Sequence, residues 1–144
     1  MYAFNYLRPA DVAAAAAALA GESRYLAGGQ SLVQSMKLRL ASAENLVDLG
    51  GIASLTGIEV DAQGVTIGAM TTHAQVAASA EVRQAIPALA ALAGGIGDTQ
   101  VRNMGTIGGS VANADPAADY PAALLGLGAT VHTHKRRIAA DGFF

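Results

Sequence analysis

The chain has 144 residues, 52% of them hydrophobic, a mean hydropathy of +0.35 and a formal net charge of −2 at pH 7, enough to bury one compact core or two small lobes sharing an interface. Charge this sparse and balanced argues against nucleic acid or an anionic membrane surface as the main partner, and the one basic run, Lys135-Arg136-Arg137, has the length of a solvated turn. With no cysteine there is no disulfide, thiolate nucleophile or iron–sulfur cluster on the chain itself, so an electron-transfer role must rest on an organic cofactor.

In chain order, AFNYLRPADVAAAAAALAGESRYLAGG predicts strand, helix and strand, with Pro9 near the helix start, Asp11 in the first turn and Gly21 as the stop. The opening MYAFNYLRPADV lacks the charged-then-apolar order of a secretory leader, and no apolar run reaches the roughly 20 residues that span a bilayer. No membrane span and a cytoplasmic location are the expectations. Ser31 is placed to cap a second helix in which Leu32, Met36 and Leu40 share one face. NLVDLGGI supplies a third strand and completes a parallel β-α-β-α-β unit.

From about Leu55 the pattern changes. GIEVDAQGVTIGA alternates around Gln63-Gly64 as an antiparallel hairpin does. A capped helix from Thr72 to about Ser79 follows, then EVRQAIPALAALAGGIG, which Pro87 divides into two helical pieces. GTIGGSVAN reads as a strand interrupted by glycines, PAADYPAALLGLGA as a helix with Pro116 near its start, and TVHTHKRRIAA as a closing strand and turn. The picture is two unlike α/β lobes, residues 1–55 and 56–144, with Leu89, Leu92, Leu124, Leu125 and Leu127 assigned to the core.

Two glycine pairs stand out among the 17 glycines: Gly28-Gly29 ahead of Ser31, and Gly108-Gly109 between Thr106 and Ser110. Helix N-termini and runs of outward-pointing amides bind anions, and two such corners on two lobes suit a diphosphate held between them. Neither matches G-x-x-x-x-G-K-[ST] or G-x-G-x-x-G. Other polar residues have plainer readings. His132 and His134 share a strand face but have no third ligand nearby, so no metal is expected. His73, after a cap, reads as exposed helix. Asp115 and Asp119 flank a helix start, where dipole compensation and hydroxyl recognition explain them. Lys37 and Arg39 suit either phosphate neutralisation or a solvated helix face, and Arg102 with Asn103 either orients the second loop or faces a partner.

YLAGGQSLVQSMKLRLA, IGAMTTHAQVAAS and IGDTQVRNMGTIGGSVANADPAADYPAALLGLGA together resemble the FAD-binding medium subunit of the molybdenum hydroxylases, over essentially the whole chain. The resemblance implies an α/β (α+β) protein with the two-lobed FAD-binding fold of the p-cresol methylhydroxylase type. A small β-α-β-α-β lobe is followed by a mixed or antiparallel lobe with helices. It implies FAD contacts at Ala27, Gly28, Gly29, Gln30 and Ser31 in one loop and at Thr106, Ile107, Gly108, Gly109 and Ser110 in the other. Asp119 would bond the ribityl hydroxyls, with Asn113 and Asp115 as neighbours. No side chain is expected to act as nucleophile or general base. The implied partners are a molybdopterin-binding large subunit carrying the molybdenum cofactor and a small subunit carrying [2Fe-2S] clusters.

Gln34 stands where the family usually has proline, and Met104 where it often has arginine. ADGFF falls where a further strand and a C-terminal domain would begin, so the chain matches the front half of such a subunit, and Phe143 and Phe144 would be exposed. Two other classes remain open: an assembly module that retains no flavin, and a nicotinamide or phosphate-ester binder.

Overall fold

A computed structural model describes all 144 residues. The N-terminal part is the expected unit: β1 (Asn5–Leu7), α1 (Val12–Ala17), β2 (Ser23–Leu26), α2 (Leu32–Lys37) and β3 (Asn45–Asp48). The three strands form a parallel sheet in the order β1-β3-β2, with Asn5 opposite Asn45 and Leu26 opposite Asp48. Central β3 buries both Leu46 and Val47, as a strand covered on two faces must. Val47 joins Ala15 and Ile52 in a small core under α1.

The helices are shorter than the sequence suggests. Asp11 is the N-cap of α1, its carboxylate accepting the Ala14 N–H at 2.8 Å, so Asp11 lies outside the first turn. The helix ends at Ala17, four residues before Gly21, which adopts φ +60° in the turn beyond. In α2 only Met36 of the expected stripe is buried. Arg39 takes φ +60° and turns the chain, leaving Leu40 outside the helix and 78% exposed.

Two short 3-10 turns, Leu49–Gly51 and Ala53–Leu55, lead to the hairpin β4 (Ile58–Asp61) and β5 (Gly64–Ile67). The Asp61 carboxylate accepts the N–H groups of Gln63 and Gly64 and sets its register. A run of helices follows: α3 (His73–Ala78), α4 (Ala80–Ala85), α5 (Pro87–Gly95), α6 (Thr99–Met104), α7 (Ile107–Asn113) and α8 (Asp119–Gly126). Side-chain oxygens of Thr72, Ser79, Asp98 and Thr106 start α3, α4, α6 and α7 respectively, and Thr72 with Gln75 forms a full capping box. Pro87 opens α5 and separates it from α4, as expected. The chain closes with the hairpin β6 (Thr130–His132) and β7 (Arg137–Ala139) and a turn of helix, α9 (Ala140–Phe143).

Three expectations fail here. GTIGGSVAN is helix α7, because the Thr106 hydroxyl caps it and its N-terminal amides find acceptors in the 69–71 segment. Pro116 precedes α8, since Asp115 draws the Ala117 N–H into a turn and delays the helix to Asp119. ADGFF supplies a helical turn, with Phe143 packed on the core while Phe144 stays 40% exposed. The main core gathers Val76, Val82, Leu89, Ala90, Ala93, Ile107, Val111 and Tyr120. Leu92 and Leu124 pack against it, but Leu125 and Leu127 face solvent at 41% and 46% exposure. No helix is long and apolar enough to cross a membrane.

Candidate cofactor site at the junction of two glycine corners

The first corner links β2 to α2. Gly29 adopts φ +72°, and a Cβ there would lie 2.8 Å from Val33 Cγ2, so both conformation and space require glycine. Ser31 holds the N-cap position of α2 with helix-like angles of −105° and −54°, and its hydroxyl makes no cap bond, contrary to expectation. The backbone N–H groups of Gly28, Gly29, Gln30, Ser31 and Leu32 therefore reach no acceptor within the chain. Internal bonding resumes with Val33 N–H to Gly29 O at 3.0 Å. The Gln30 side-chain amide donates to Gly28 O at 3.2 Å and braces the loop. Consecutive unbonded amides at a helix entry are an anion cradle.

The second corner is built otherwise. Ile107 N–H donates to Thr71 O at 3.0 Å, Gly108 N–H to Ala69 O at 2.8 Å and Gly109 N–H to Thr106 Oγ1 at 3.1 Å. Its amides are thus taken up internally. Its glycines serve close packing: a Cβ on Gly108 would lie 2.5 Å from Ala69 Cβ and 2.6 Å from Ala69 O, and one on Gly109 2.8 Å from Thr106 Oγ1. Thr106 and Ile107 are buried, while Gly108, Gly109 and Ser110 are half-buried at the surface of the junction.

The two corners meet. A Cβ on Gly28 would lie 2.0 Å from Met104 O and 2.7 Å from Gly105 Cα, and one on Gly109 would lie 3.3 Å from Ala27 Cβ. Segments far apart in sequence are in backbone contact, and the unbonded amides of the first corner open beside that seam.

The other candidates have different roles. Asn113 closes α7 and Asp119 opens α8, both exposed, and neither side chain hydrogen-bonds to either corner. Lys37 sits in the last turn of α2, at the end away from the cradle, and the Arg39 guanidinium lies 5.4 Å from the Tyr2 ring centroid. Arg102 donates to Ile96 O at 3.1 Å and Gly97 O at 2.8 Å, and Asn103 to Thr99 O at 2.8 Å, so both brace α6. His132 and His134 are exposed, and no three metal-ligating side chains are grouped together.

His73 overturns its expectation. It is 5% exposed, its backbone N–H donates to Gly105 O at 3.0 Å, and a Cβ on Gly105 would fall 2.6 Å from its Nε2. Its ring lies 5.4 Å from that of Tyr120, which is fully buried. Burial holds the imidazole pKa below its ordinary value. Burial, and then the neighbouring Asp119 charge, hold the Tyr120 phenol far above its own. Nothing in the sequence around His73 distinguishes it from an exposed first-turn histidine; only packing of α6 and α8 over α3 does.

Residues 2–144 match the model of the family described as FAD binding domain in molybdopterin dehydrogenase. The carbon monoxide dehydrogenase medium chain of Afipia carboxidovorans is 46% identical over 129 residues, 88% of this chain and 45% of that one. The glyceraldehyde dehydrogenase medium chain of Sulfolobus acidocaldarius is 40% identical over 130 residues, 89% of this chain and 46% of that one. Among solved structures, reconstituted CO dehydrogenase from Oligotropha carboxidovorans superposes with a TM-score of 0.93 at 40% identity, covering 99% of this chain and 54% of that chain. Quinoline 2-oxidoreductase from Pseudomonas putida 86 gives 0.90 at 32% identity, covering 99% and 54%. The chain spans about half the length of the relatives it matches.

Proposed function

We propose, on the footing that this chain belongs to the family of FAD-binding domains in molybdopterin dehydrogenases, that it grips the FAD diphosphate at the seam between its two glycine corners. It would thereby serve as the flavin-bearing electron-transfer part of a molybdenum-dependent hydroxylase. The observation that carries this reading is the run of five unbonded amides, Gly28 to Leu32, opening beside the contact of Gly28 with Met104 and Gly105. A diphosphate suits that cradle, because successive N–H dipoles supply a fixed positive potential without a lysine or arginine.

The two corners divide the labour. Gly28 to Leu32 donate amides and Ala27 lines the seam beside Gly109, while Thr106 to Ser110 close it: Gly108 lets the backbone of Ala69 approach, Gly109 leaves room for the Ala27 and Thr106 side chains, and the Ser110 hydroxyl is free to face a ligand. The exposed polar groups of Asn113 and Asp119 are assigned to the hydroxyl-bearing part of the cofactor. When bound, the flavin would supply the redox chemistry, taking electrons from iron–sulfur clusters and giving them to a terminal acceptor, and the protein would contribute position and electrostatics. The molybdenum cofactor and [2Fe-2S] clusters are placed on a large and a small partner subunit. Relatives named for carbon monoxide, glyceraldehyde and quinoline share this half, which supports placing substrate choice on another subunit.

The test is spectral. The purified complex is expected to show a flavin absorption band that Gly29→Val and Gly108→Val each abolish, and unchanged flavin content in both variants would overturn the site. The alternative reading is an assembly module that docks without flavin. It predicts that the chain joins its subunits yet leaves FAD fluorescence unquenched.

A further inference from the structure

Beneath the second corner lies a buried polar pair that the flavin reading does not use. His73 Nδ1 and the Tyr120 hydroxyl are both inaccessible to solvent and both lack a hydrogen-bond partner. Buried polar atoms without partners are costly, and an apolar pair of the same shape would avoid that cost, so packing alone does not explain them. His73 also occupies a particular place: its imidazole edge is against Gly105, its backbone N–H holds Gly105 O, and Gly105 is the residue on which Gly28 packs. His73, Gly105 and Gly28 thus form one line of contact from the core to the cradle.

We propose that His73 is a protonation-sensitive positioning residue for the cofactor seam: the neutral ring, wedged between Tyr120 and Gly105, holds the Gly105–Thr106 turn against the first corner, and the charged ring releases it. The inference rests on the flavin reading only for its consequence, since the wedge itself is a property of this chain. No charge stands ready to stabilise an imidazolium. On α5 and α7 there is no titratable residue. On α6, Arg102 is bonded to the carbonyls of Ile96 and Gly97; on α4, Glu81 is bonded to Ser79 and Arg83 to Ala77 O; and α8 presents Tyr120 and the exposed Asp119. Burial is the sole cause of the lowered imidazole pKa. A histidine held neutral by the fold contributes stability that is fully present above the unfolded value of about 6.5 and is lost as pH falls below it.

The experiment is amide hydrogen exchange on the full chain at pH 7.5 and pH 5, normalised to intrinsic rates, read at Ile107 and Gly108, whose N–H groups bond Thr71 and Ala69. In the wild-type chain protection is expected to fall on the order of tenfold on acidification, the usual size of coupling between two sites. In His73→Phe, which keeps a ring in the wedge, protection should hold within twofold across the same range; should that variant not fold, His73→Asn is read the same way. Protection independent of pH in the wild type, or the same loss in the variant, would overturn the proposal. FAD titration on the same samples separates the two readings. Absence of binding at pH 7.5 would refute the flavin site while the exchange result still judges His73. Where FAD does bind, its apparent Kd should weaken in parallel with protection in the wild type alone.

Discussion

Gly28 and Gly95 are chemically identical and structurally opposite. A methyl group on Gly28 would sit 2.0 Å from the carbonyl oxygen of Met104, whereas one on Gly95, at the end of α5, meets nothing within 4 Å. Gly28→Ala should therefore cost about 1–3 kcal/mol through forced separation of the two corners, with flavin affinity falling alongside. Gly95→Ala should stabilise by about 0.4–1 kcal/mol, by restricting the unfolded chain. Urea unfolding of both variants checks the pair, and equal effects would show that the corners are not in backbone contact. The sequence singles out Gly28 as a binding residue but offers no hint of its partner, because Met104 O is an atom every residue possesses and only the path of α6 brings it there.

At the scale of elements, short helices depend on their caps. α7 has seven residues, too few to persist alone in water, and the Thr106 hydroxyl both caps it and satisfies Gly109 N–H. Thr106→Val keeps the buried volume and removes that acceptor, so unfolding stability should drop by about 1 kcal/mol, measured as a shift in urea midpoint at constant slope. Caps and breakers were legible in advance for Thr72 and Pro87, where local chemistry acts on the adjacent backbone. They misled at Ser31, whose hydroxyl leaves the α2 amides unbonded. They were unreadable in GTIGGSVAN, where two glycines lower helix propensity and acceptors on Thr71 and Ala69 decide the outcome. Leu40 fails for a similar reason: the four-residue spacing is helical, but Arg39 turns out of the helix before Leu40 can join its face.

For the whole molecule, the parallel sheet and the helical body are joined where the two corners touch, so a ligand seated there stabilises both. FAD at about 100 times its Kd should raise unfolding stability by about 2.7 kcal/mol, seen as a thermal shift, while FMN, which lacks the diphosphate bridge, should produce little at equal concentration. Equal shifts from the two would place the recognition elsewhere than the amide cradle. The β-α-β-α-β unit, the hairpin at Gln63-Gly64 and the glycine corners are readable from residue order, because strand and helix periods, turn residues and caps are effects of near neighbours along the chain. That the Gly28 to Leu32 amides stay open while those of Ile107 to Gly109 are closed, and that His73 is buried under Gly105, depends on contacts between distant segments. A hydrogen bond or a wedge depends on which distant backbone arrives beside it, and residue type does not record that arrival.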